Sequence, residues 1–199
     1  MFRQGVTDRA RALLQPAVMG LVRMGVTADG LTLAGFLLSL PAGALFAAHR
    51  FGLAAAALIV CGLCDALDGS VARATGRSSR AGAFLDSTLD RYSELAVHVG
   101  LLFHYLGTPA SIAVLLSMAG AAQTSYARAR AEGLGEACRV GWFQRPERTV
   151  AIIAGGFAGP GVMRWVLWAL ALMTNITAVH RMIHMHRRLR TMENGVSAR

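Results

Sequence analysis

The sequence predicts an all-α integral membrane protein, and three observations carry that expectation. Hydrophobic residues make up 54% of the chain against 16% charged, with a mean hydropathy of +0.46, a balance foreign to an ordinary water-soluble domain. Six apolar stretches approach the roughly 20 residues that a helix needs to cross a bilayer. The basic residues, all of them arginine, collect in alternate connections between those stretches. At 199 residues, with no internal repeat or low-complexity linker, the chain is expected to form one membrane domain over 1–199.

Residues 1–20 interleave Arg3, Arg9 and Arg11 with apolar side chains, the pattern of an amphipathic helix lying on the membrane surface rather than of a cleavable signal. Six transmembrane helices are then placed at about 29–49, 51–72, 83–106, 109–127, 149–163 and 162–182. The fifth is short, and Gly155, Gly156, Gly159, Pro160 and Gly161 mark its end and the turn into the sixth. Gly35, Gly43, Gly62, Gly82, Gly100 and Gly120 recur inside the spans, where missing side chains let backbones approach. Trp142, Trp165 and Trp168 fall near predicted helix ends, as aromatic anchors do.

Arginine placement tests the topology independently of hydropathy. Arg3, Arg9, Arg11 and Arg23 precede the first span, Arg73, Arg77 and Arg80 follow the second, and Arg128, Arg130, Arg139, Arg145 and Arg148 follow the fourth. Arg181, Arg187, Arg188, Arg190 and Arg199 close the chain, whereas only Arg50 and Arg164 fall in the opposite connections. Both termini are therefore expected on the cytoplasmic side. The net charge of +9 suits anionic lipid heads and phosphate-bearing substrates, and no nucleic-acid partner is expected. Three cysteines make no disulfide framework, and Cys61 and Cys64 read as small helix-packing residues. His180, His184 and His186 read as a wet, basic helix end.

Within this apolar chain, Asp65, Asp68, Asp86 and Asp90 form the string D-x2-D-G-x2-A-R-x8-G-x3-D-x3-D, completed by Gly69, Ala72, Arg73 and Gly82. Carboxylates at membrane depth are costly and mark function. At about 100° per residue, Asp65 and Asp68 share one helix face and Asp86 and Asp90 share another. Two carboxylates about 5 Å apart repel by roughly 3 kcal/mol at an effective dielectric near 20, so protons or cations must answer the cluster. Oxygen ligands without histidine or thiolate favour a hard ion, Mg2+ or Mn2+, possibly paired. Such ions keep coordination positions for phosphate oxygens. Arg73 would add a permanent cation, and Gly69 and Gly82 would let a ligand come against the backbone. A divalent-cation transporter could use the same aspartates.

The string resembles the signature of the CDP-alcohol phosphatidyltransferase family, and every fixed position is matched. The resemblance implies an enzyme of phospholipid biosynthesis, six transmembrane helices and a homodimer. It implies that Asp65, Asp68, Asp86 and Asp90 form the metal site, with Asp90 also serving as the catalytic base. Asp65, Asp68, Gly69, Ala72, Arg73, Gly82 and Thr32 would then bind CDP. The donor would be CDP-diacylglycerol or a related CDP-lipid.

The run Phe84-Leu85-Asp86-Ser87-Thr88-Leu89-Asp90-Arg91 is similar to the branch of the family that makes phosphatidylinositol phosphate. Asp29 is also similar to that branch, although Ala28 stands where a proline precedes it in relatives. By resemblance Asp29, Ser125, Arg128, Arg145, Arg148 and Arg181 would serve the acceptor's phosphate, Asp29 by ordering an arginine; guanidinium groups suit bidentate capture of a phosphate monoester. Inositol phosphate is the implied acceptor, with glycerol 3-phosphate or another alcohol as the alternative. Glu94, one turn beyond Asp90, is placed to orient Asp90 or a neighbouring arginine.

Overall fold

The computed structural model describes residues 15–138 and 140–197. The described residues are helical and contain no strand. Helix α1 covers 15–23, and α2 (Ala28–Ala47), α3 (Phe51–Ala74), α4 (Arg80–Tyr105), α5 (Ala110–Gly133), α6 (Arg145–Ala158) and α7 (Pro160–Ser197) follow. The interfacial helix expected over 1–20 lies mostly outside the described residues, as do Arg3, Arg9, Arg11, Arg139 and Arg199. Its described part belongs to α1, whose Val18 is buried against Leu31 of α2 and Val71 of α3.

Helix boundaries follow local chemistry. The Thr27 side chain accepts from the Gly30 backbone N–H at 3.1 Å and starts α2, and Ser79 accepts from the Gly82 N–H at 2.9 Å and starts α4. Helix α6 begins four residues before the hydropathy-based span, because the Gln144 N–H donates to Glu147 Oε2 at 3.1 Å and Pro146 sits in the first turn. It ends at Gly159, whose φ of 89° is open to glycine. Helix α7 runs well past the expected end at 182, to Ser197. Hydropathy reports where the apolar face stops, whereas a helix continues into water until a breaker arrives.

Helix α2 packs on α3 and α4, α5 packs on α7, and α6 bridges α3 and α7. Phe46, Phe51, Leu101, Val114, Met163 and Leu167 fill the main core. At the α2–α4 crossing a Cβ on Gly100 would fall on the Gly43 carbonyl, so that contact exists only because neither position carries a side chain. Large apolar residues instead cover the outside, with Leu37 52%, Leu53 60%, Phe103 66% and Trp165 64% exposed. That inversion suits a lipid surround. Helices α2, α3 and α7 are long and apolar enough to cross a membrane.

Candidate active site

Two helix ends build the site. Asp65 and Asp68 lie in the last three turns of α3, and Asp86 and Asp90 in the second and third turns of α4, joined by the short turn that Gly76 (φ 65°) and the Ser79 cap define. Asp65, Asp68 and Asp86 each bring a carboxylate oxygen to within 4.8 Å of the other two. Thr32 of α2 donates to Asp68 Oδ2 at 2.8 Å, and the Gly69 N–H donates to Asp68 Oδ1. These bonds fix a carboxylate only 7% exposed. Asp86 Oδ1 is buried without a hydrogen-bond partner. A buried, orphaned carboxylate oxygen facing two more carboxylates is costly by itself. The donor set fits a hard divalent cation, which would satisfy that oxygen and relieve the mutual repulsion.

Asp90 is held differently. Arg145, the first residue of α6, places Nη2 2.5 Å from Asp90 Oδ1 and Nη1 3.0 Å from Asp65 Oδ1. Arg91 Nη2 lies 3.7 Å from Asp90 Oδ2. Arg145 thus sits on the carboxylates rather than among the acceptor arginines with which the sequence grouped it. A cavity of about 340 Å3 opens beside these groups, lined by Asp65, Asp86, Asp90 and Arg145 as well as by apolar side chains such as Leu58, Val97 and Ile152. A few charged groups in a largely apolar lining suit a ligand that is part polar and part apolar.

The glycines and Arg73 have clear surroundings. A Cβ on Gly82 would come within 3.2 Å of Asp29 Oδ1, so Asp29, in the first turn of α2, stands beside the glycine that opens α4. Arg73 folds back along α3, its Nη2 3.1 Å from Ser70 Oγ and its Nη1 3.3 Å from where a Gly69 Cβ would stand. Ala72 is half-buried one residue before it.

Among the remaining arginines, Arg148 lies within electrostatic range of both Arg91 and Arg181. Arg148 is 1% exposed, donates to Glu94 Oε1 at 2.6 Å and Oε2 at 3.0 Å, and reaches the Phe143 carbonyl at 3.4 Å. Glu94 therefore orients an arginine, not Asp90. Arg181, also buried, donates to the carbonyls of Val140 at 2.8 Å and Thr124 at 2.7 Å, and lies within electrostatic range of Arg128 and Arg148. Arg128 is exposed and pairs with Glu132 at 2.8 Å. Ser125 accepts from Arg91, a residue that sequence reasoning left out of the site and whose Nε is buried without a partner. Its position directly after Asp90 was the signal that could have found it. His98, fully buried, bridges the Glu94 carbonyl at 2.8 Å and Ser117 Oγ at 3.1 Å, and so ties α4 to α5 as a packing residue.

Known proteins resemble this chain in sequence and in fold. Residues 25–177 match the family model described as CDP-alcohol phosphatidyltransferase. The chain is 39% identical over 172 residues to the archaetidylinositol phosphate synthase of Methanothermobacter thermautotrophicus, covering 84% of this chain and 87% of that one. It is similar in structure to the phosphatidylinositol phosphate synthase of Mycobacterium tuberculosis with CDP-DAG bound, at a TM-score of 0.80 and 34% identity, covering 85% of this chain and 92% of that one. The same enzyme in complex with manganese and citrate matches at a TM-score of 0.79 and 34% identity, over 85% of this chain and 87% of that one. The family match spans both aspartate helices together with Arg128, Arg145 and Arg148, and the chain belongs to the CDP-alcohol phosphatidyltransferase family of membrane enzymes.

Proposed function

We propose that this enzyme transfers the phosphatidyl group of CDP-diacylglycerol, or its counterpart in a related CDP-lipid, to a hydroxyl of inositol phosphate, forming phosphatidylinositol phosphate and CMP. The observation that carries the reading is the convergence of Asp65, Asp68 and Asp86, with an orphaned oxygen on Asp86, beside a largely apolar cavity. Relatives at 34–39% identity named for inositol phosphate transfer support the acceptor.

Asp65, Asp68 and Asp86 would hold one or two divalent ions, Mg2+ or Mn2+, with Asp90 adjoining them, and the ions supply charge neutralisation on the donor pyrophosphate. Thr32 keeps Asp68 pointed into the cluster. Gly69, Ala72, Arg73 and Gly82 line the CDP side, where absent side chains allow close approach and Arg73 adds a cation. Asp90 takes the proton from the acceptor hydroxyl, whose oxygen then bonds to the phosphorus nearer the lipid. The bond from that phosphorus to the CMP oxygen breaks, and CMP leaves with the electron pair. Ser125, Arg128, Arg148 and Arg181 hold the acceptor phosphate, Arg148 being oriented by Glu94. Asp29, which stands beside Gly82, is assigned to order one of these arginines.

The reading includes six membrane-crossing helices, α2 to α7, with both termini and the aspartates on the cytoplasmic side, and a homodimer in the membrane. The arginine distribution supports that orientation. A lipid donor and a water-soluble acceptor can meet only at such a surface. The test is a panel assay of purified protein with CDP-diacylglycerol and inositol phosphate, glycerol 3-phosphate or serine, with products identified by mass. A phosphatidylinositol phosphate mass that appears only with divalent metal is expected. Product from glycerol 3-phosphate alone would overturn the acceptor, and metal transport without CMP release would overturn the enzyme.

A further inference from the structure

Arg145 touches two of the signature carboxylates, and they come from different helices. Nη1 is 3.0 Å from Asp65 Oδ1 on α3, and Nη2 is 2.5 Å from Asp90 Oδ1 on α4. The arginine enters from the start of α6, 80 residues beyond Asp65, and its side chain stays 28% exposed at the rim of the cavity. Asp65 is also one of the three acids whose oxygens converge within 4.8 Å. A guanidinium and a dication seek the same carboxylate charge and repel each other. Arg91 lies close by, within electrostatic range of both Arg145 and Arg148. Displaced from Asp65, the Arg145 guanidinium would join cations that only an anion could draw together.

We propose that Arg145 and the divalent cation compete for Asp65, so that Arg145 becomes available to the acceptor's phosphate monoester once the ion has taken its place. The inference rests on the transfer reaction proposed above. It makes the binding of ion and acceptor cooperative and gives Arg145 a part in both binding events. Two ligands that each release what the other needs are coupled, and the coupling acts equally in both directions.

The experiment titrates Mn2+ alone into the detergent-purified full chain by calorimetry, and repeats the titration with saturating inositol phosphate. Arg145→Gln is expected to bind Mn2+ about tenfold tighter than the wild type, because a charge-assisted competitor has gone. Inositol phosphate is expected to tighten Mn2+ about fivefold or more in the wild type and to have no effect in Arg145→Gln. Arg145→Lys keeps the charge but cannot bridge two carboxylates as a fork, so its Mn2+ affinity should fall between the other two. Arg145→Gln binding Mn2+ no tighter than wild type, an undiminished effect of inositol phosphate in that variant, or Arg145→Lys indistinguishable from wild type would overturn the competition. Failure of the wild type itself to bind Mn2+ would overturn the parent reading with it, which separates the two failures.

Discussion

Replacing Glu94 with alanine strands a buried cation. Both strong bonds of the Arg148 guanidinium, at 2.6 and 3.0 Å, end on Glu94, and the Arg148 side chain is 2% exposed. Removing one partner of such a pair costs about 3–5 kcal/mol, because the desolvated charge stays behind. The Phe143 carbonyl at 3.4 Å is the partner that remains and offsets little of this. For a chain of this length each kcal/mol lowers Tm by about 2–4 °C, so Glu94→Ala should melt about 6–20 °C lower. Thermal unfolding in detergent, followed by tryptophan fluorescence, reads the shift. The double variant Glu94→Leu/Arg148→Met removes both charges and should regain most of the lost stability, since apolar replacement of a buried pair is often neutral. It should not regain acceptor binding. A Glu94→Ala shift under about 2 °C, or a double variant no more stable than the single one, would refute the desolvated pair of Glu94 and Arg148.

Thr32→Val keeps the shape but removes the 2.8 Å bond to Asp68 Oδ2. A hydrogen bond to a charged group is worth about 1.5–3 kcal/mol, so the metal concentration for half-maximal activity should rise about tenfold or more; no change would mean that Asp68 does not need this hold. Gly100→Ala drives a methyl onto the Gly43 carbonyl and should cost about 1–3 kcal/mol in a thermal melt, whereas Gly52→Ala, with nothing within 4 Å of its Cβ, should be nearly silent. Equal melting temperatures for the two would contradict the α2–α4 crossing.

The pattern within single helices was legible in the sequence. Asp65 with Asp68, and Asp86 with Asp90, share faces because helical periodicity is a local property, and the structure indeed gathers three of these acids. The start of α6 was legible too, since Gln144, Pro146 and Glu147 spell a cap, but hydropathy alone passes over it. The end of α7 was not, because Arg, His, Met and Thr after residue 182 are tolerated in a helix once it has left the apolar layer. Pairings between distant helices were out of reach. Whether Arg145 meets Asp65, and whether Glu94 turns to Asp90 or to Arg148, depends on how α6 docks against α3 and α4, which no spacing within one helix encodes.

The most direct measurement is an anomalous-scattering map at the manganese edge from crystals of the protein grown with Mn2+. A peak between Asp65, Asp68 and Asp86, bonded to the Asp86 oxygen that otherwise lacks a partner, is the predicted result. A peak elsewhere, or none at saturating Mn2+, would contradict the claim that these three carboxylates form a metal site.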